Sequence, residues 1–128
     1  MMIDYILIWR RINQLNNDIA QVIADIEKVA CLINMQGKHN VFVRNSGHIQ
    51  QVDVELHLGG WKSNNDPSLS DSIYYDLNSE LCEYEDSIKS LRRIRDTLRK
   101  IYKNGKINLD NYDYEIEEVK HYKFRSNW

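Results

Sequence analysis

The side chains best suited to chemistry are cationic, and most lie late in the chain. Lys89, Arg92, Arg93, Arg95, Arg99, Lys100 and Lys103 follow one another closely, and Lys106 comes after a glycine. Arg10 and Arg11 lie near the start. Arginine offers a planar fork of donors that matches phosphate or carboxylate. An aromatic face such as Tyr102 can stack a base or hold a cation. If two helices bring both groups together, Arg10, Arg11, Arg92, Arg93, Arg95, Arg99, Lys103 and Tyr102 form an anion site. It would take a nucleotide, a nucleic acid or an acidic partner. The competing reading is a solvated helix face, and it carries more weight because charge runs usually face water. Early acids (Asp71, Asp76, Glu80) and late bases also complement a helix dipole. The acidic tail residues Asp110, Asp113, Glu115, Glu117 and Glu118 can neutralise the cations within the molecule.

Other chemistry is weakly signalled. His39, His48, His57 and His121 match no zinc spacing, so no metal is expected. Asp53, Glu55 and His57 alternate onto one strand face, as on any exposed strand. Cys31 and Cys82 lack C-x-x-C spacing and read as small buried apolar residues. No phosphate-cradling glycine loop, nucleophile elbow or helical His-Glu metalloprotease motif occurs. No cofactor and no catalytic residue is expected, and the chain reads as a non-enzyme. Gly59-Gly60-Trp61 is a possible contact loop, with Trp61 supplying area.

The formal net charge is −2. That argues against an acidic nucleic-acid mimic and against a generally basic nucleic-acid binder. Met1 to Trp9 is apolar but short, carries Asp4 and lacks a preceding basic region, so it is no secretory leader. No run reaches membrane-spanning length, and the expectation is a cytoplasmic protein without membrane contact. Asn, Ile, Tyr and Lys usage matches AT-rich genomes, including those of many bacteriophages.

The elements that must position these residues are read from periodicity. Ile8, Ile12, Leu15, Ile19, Val22, Ile26, Val29 and Ile33 step by four and three, which is a heptad seam. Helix is predicted from about 3 to 36, roughly 50 Å long, with Gly37 as its left-handed cap. Val41-Phe42-Val43 and the alternation Val52, Val54, Leu56, Leu58 around Asn45-Ser46-Gly47-His48 predict a β-hairpin over about 39–58. Asp66-Pro67 suggests a helix start, with Ser68, Ser70 and Ser72 in capping roles. A second helix is predicted over about 67–103, with Tyr74, Leu77, Leu81, Tyr84, Ile88, Leu91, Leu98 and Tyr102 in its seam. Arg95 interrupts that seam at a core position. Asn104-Gly105 stops the helix. The tail, 107–128, alternates aromatic and acidic residues and reads as one or two short strands, with a short helix as competitor.

Together these give one α+β domain, mainly α: two long antiparallel coiled-coil-like helices with an inserted β-hairpin. Helix, β-hairpin, helix in this order resembles the prefoldin layout, a likeness of arrangement that no motif carries. Trp9, Ile23, Ala30, Ile94 and Ile101 flank the seam and need a third layer, supplied by the tail, the hairpin or a second copy. The functional expectation is a protein–protein interaction module (adaptor, assembly factor or inhibitor) that also associates with itself. The alternative is an oligomeric protein that sequesters an anionic ligand at the arginine-rich end.

Overall fold

A computed structural model describes residues 2–76, 81–107, 109, 114–115 and 121–123; for 2–4, 114–115 and 121–123 it describes the backbone alone. Helix α1 spans Met2–Met35. It ends as Gly37 takes a φ of 77° and donates to the Asn34 carbonyl at 3.2 Å. Strands β1 (Asn40–Ser46), β2 (Gln51–His57) and β3 (Leu69–Tyr74) follow, and helix α2 spans Leu81–Asn104. Gly105, at φ 78°, caps α2 by donating to the Ile101 carbonyl at 2.7 Å. Two short strands, β4 (Tyr114–Glu115) and β5 (His121–Lys123), complete a five-stranded sheet of order β1-β2-β3-β5-β4. Strands β1, β2 and β3 pair as an antiparallel meander, while β5 runs parallel to β3.

The two helices are parallel, which corrects the antiparallel coiled-coil pair expected from the heptads. Arg11 meets Glu85 and Asp25 meets Arg99, while Gln36 Nε2 donates to the Tyr102 carbonyl. Both residue numbers rise together along the pair. The physical reason is β3. One hairpin between two helices returns the second against the first, and a third antiparallel strand reverses the chain once more. The likeness to the prefoldin layout goes with the antiparallel pair.

Strand β3 occupies the segment expected to open the second helix. Leu69 and Ile73 are buried on one face, with Ser70 and Ser72 on the other, so the period here is two. Proline at 67 is tolerated just outside the strand, as it is at a helix start. The serines do strand and loop work: Ser68 Oγ accepts from the Leu58 amide at 3.1 Å, and Ser72 Oγ donates to Asp53. Tyr74, placed in the helical seam by the heptad reading, is exposed on β3, and Leu77 lies outside the described residues.

The sheet supplies the missing third layer. Val41, Val52, Val54, Leu56, Leu69 and Ile73 cover the flanks of both helices, burying Ile23, Ala30, Ile94 and Ile101 beside the seam residues Leu15, Ile19, Ile26, Ile33 and Leu91. Fully burying one such side chain is worth about 1.5–3 kcal/mol. Arg95 does not enter this core: it is half-buried, and its Nε lies 3.0 Å from Asp96 Oδ1. Cys31 and Cys82 are exposed rather than core.

Side chains from the α1–β1 link tie the far end together. Asn34 bonds both backbone groups of Val41, accepting from its amide at 2.7 Å and donating to its carbonyl at 2.9 Å. His39, buried on the same link, accepts from the Gly59 amide at Nδ1 and meets the Gly105 carbonyl at Nε2, both at 2.8 Å. Since Nδ1 accepts, Nε2 must carry the proton. Lys38 Nζ also reaches the Gly105 carbonyl, at 3.3 Å, placing a cation at the negative end of α2.

Candidate interaction surface

Helix α1 is too long for the layer it packs on. Its 34 residues run about 51 Å, against about 36 Å for the 24 residues of α2 and about 23 Å for a seven-residue strand. The C-terminal ends lie close, since Gln36 bonds the Tyr102 carbonyl, and Arg11 lies beside Glu85, four residues into α2, so about the first two turns of α1 project past Leu81. There Tyr5, Ile6, Leu7, Ile8 and Trp9 are exposed by 70, 45, 56, 50 and 58 %. Five consecutive residues occupy every side of a helix, so these turns are apolar all round. Ile8, expected in the seam, is half exposed, and burial of the heptad begins only at Ile12 and Leu15. Single exposed apolar residues are ordinary, but a contiguous group marks a contact surface.

Next to these turns lies a cleft of about 540 Å³. Its floor is the α1 face carrying Asn16, Ala20, Ile23 and Ala24, and Glu27 closes one end. Asn45 near the end of β1 and Gln50 in the β1–β2 turn form a lip with Tyr75, whose hydroxyl donates to Asn45 Oδ1 at 2.5 Å. Tyr84, 8 % exposed at the start of α2, lines the opposite wall, and its hydroxyl makes no hydrogen bond among the described residues. The volume suits a buried ligand or one large side chain with its neighbours. The heptad pattern carries no mark of it. The available signal was the pair of alanines at 20 and 24, which leave a hollow where larger residues would fill the face.

The cations do not converge. Arg11 lies beside Glu85 at 3.4 Å, whereas Arg99 lies beside Asp25 at 3.7 Å, fourteen residues or about 21 Å further along α1. Arg99 and Arg95 share Asp96, and Arg93 also has a partner. Arg10, Arg92 and Lys103 are exposed. Tyr102 does meet Arg99, in a hollow of about 250 Å³ shared with Lys28 and Leu32, but Asp25 lies within it. Parallel helices thus separate the charges that antiparallel helices would have gathered. Neutralisation by the acidic tail involves side chains outside the described residues.

The remaining candidates are dispersed. Trp61 is exposed by 55 %, and its amide donates to Asn40 Oδ1 at 2.8 Å. Asp53, Glu55 and His57 share the outer sheet face as expected, with Arg44 paired to Glu55 at 2.7 Å. His57, however, is buried rather than solvated, its ring edge-on to Phe42 at 5.5 Å, and its Nε2 has no hydrogen-bond partner among the described residues. Glu55 is 3.7 Å from that nitrogen. Among the described residues no group of three or more His, Cys, Asp or Glu is placed to hold a metal, and no helix is long and apolar enough to cross a membrane. Comparison with protein-family models, with characterised proteins and with solved structures finds no match to this chain.

Proposed function

We propose that the chain is a protein–protein interaction module, an adaptor, assembly factor or inhibitor, that docks through the N-terminal turns of α1 and the adjoining cleft. The observation carrying this reading is the run from Tyr5 to Trp9, apolar and exposed on all sides of a helix that the fold holds rigidly from Leu15 onward. Leaving such a surface in water costs free energy that a partner recovers by covering it. Trp and Tyr are the residue types that most often dominate interface energetics. The helix is prefolded, so docking loses little backbone entropy. The alternative reading, sequestration of an anion at the arginine-rich end, loses its main support because Arg10 and Arg11 lie far from Arg95 and Arg99.

The test is affinity capture with the intact chain, comparing three forms. A partner held by the parent protein should be lost with Tyr5→Ser/Trp9→Ser and kept with Arg92→Ala/Arg99→Ala. It should also survive moderate salt, because burial of apolar area is little screened. A partner lost with the arginine variant and kept with the aromatic one would overturn the proposal in favour of anion binding.

A further inference from the structure

We infer that the partner of this surface is a second copy of the chain, with Trp9 of each copy seated in the cleft of the other. The inference rests on the interaction reading and deepens it.

Each residue turns a helix by about 100°. Steps of four, seven, four, three and four residues therefore return to one stripe, which here carries Tyr5, Trp9, Asn16, Ala20, Ile23 and Glu27. The exposed aromatics and the cleft floor thus lie on one line along α1, with the aromatics projecting and the floor hollow. Asn16 is its midpoint: Trp9 and Ile23 are each seven residues away, and Tyr5 and Glu27 each eleven. If two α1 helices cross antiparallel about a two-fold axis at Asn16, Trp9 comes level with Ile23 of the second copy, and Tyr5 with its Glu27. The same contacts form twice, and the assembly closes on itself.

The chemistry of these pairs is complementary. Ala20 and Ala24 leave space for the indole, and the lip groups of Asn45 and Gln50 offer acceptors for its N–H. Glu27 makes no ion pair among the described residues and would accept from the Tyr5 hydroxyl. Asn16 would meet its own copy, where a single asparagine pair fixes register. The area is sufficient but modest. At about 200 Å² per aromatic side chain, the exposed parts of Tyr5 and Trp9 amount to about 250 Å² per copy. With the second copy and the receiving walls this becomes about 1,000 Å², at the lower bound of specific interfaces. The dimer should therefore exchange with monomer in the micromolar range.

Sedimentation velocity of the full chain across that range should show a monomer–dimer equilibrium. Trp9→Ala and Ala20→Arg each alter an exposed side chain, and each should weaken the dimer roughly tenfold or more, with unchanged circular dichroism. Mixing the two variants should recover association, since that heterodimer keeps one intact Trp9 facing one intact cleft. With Cys31 and Cys82 replaced by serine, Asn16→Cys should oxidise to a cross-linked dimer. A strict monomer at high micromolar concentration would overturn the inference while leaving capture of a foreign partner through Tyr5 and Trp9 standing. So would a dimer indifferent to both variants, or one in which Asn16→Cys fails to cross-link. Loss of aromatic-dependent capture together with a strict monomer would remove both readings.

Discussion

Replacing His39 by alanine tests how the far end of the fold is held. The ring is 7 % exposed and joins three segments: the α1–β1 link, the turn after β2 and the cap of α2. Its removal deprives the Gly59 amide of its acceptor and the Gly105 carbonyl of one of two donors. A net hydrogen bond is worth about 0.5–1.5 kcal/mol, and a buried group left unsatisfied costs about 1–3 kcal/mol. Gly59 is exposed enough for water to replace the ring, and Lys38 Nζ stays on Gly105. The two losses therefore fall at the lower end, and the vacated ring volume adds to them. The expected total is about 2–3 kcal/mol, or a melting temperature lower by about 10 °C. Urea titration should show a lower midpoint with unchanged slope, and hydrogen exchange should show faster exchange at Gly59. His39→Gln, which keeps a donor and an acceptor, should recover part of the loss, while Lys38→Ala should cost under about 0.5 kcal/mol. A loss below about 1 kcal/mol for His39→Ala with Gly59 still protected would refute the latch.

Other outcomes follow from packing and direction. Spin labels at 11 and 85 should lie close, and labels at 11 and 99 farther apart by roughly 13 Å; the reverse order would restore antiparallel helices. Ile26→Ala, at a fully buried site, should destabilise by about 2–5 kcal/mol in denaturant titration, and an effect near zero would contradict the core assignment. Asn34→Ala should cost about 1–2 kcal/mol and expose the Val41 amide to exchange, because β1 is an edge strand and this side chain bonds both the amide and the carbonyl of Val41. Arg99→Ala should alter stability by less than about 1 kcal/mol, since its pair with Asp25 is long and half in water.

Legibility in the sequence varied with the strength of the local pattern. The α1 heptad, the caps at Gly37 and Gly105 and the β1–β2 hairpin could be read because each is a short-range signal. Residues 69–74 were not. Leu69 and Ile73 are four apart, which fits a helix turn as well as alternate strand positions, and Asp66-Pro67 before them suits either. That single ambiguity decided the global arrangement, because one additional strand sets the relative direction of the helices. Direction then decided the site: Arg10 and Arg11 join the cations of α2 only if the helices are antiparallel. The overhang could be read in part, since Trp9 stood out as needing cover. Which side chains lie beyond the sheet depends on comparing element lengths after the register is known. The cleft depends on residues from α1, the β1 end and its turn, the segment just after β3, and α2 meeting, which no local pattern encodes.

The parallel pairing also has a consequence for how the chain acquires its structure. Arg11 and Glu85 are 74 residues apart, so the helix–helix layer is made of non-local contacts. Such topologies fold slowly, because loop closure precedes any gain from contact. During synthesis α1 emerges before the meander and α2, and its isoleucine stripe has no cover from them until they have left the ribosome. For that interval the stripe is exposed beside the aromatic turns, as a sticky nascent segment. The exposed turns then extend, in the folded monomer, a vulnerability that begins during synthesis.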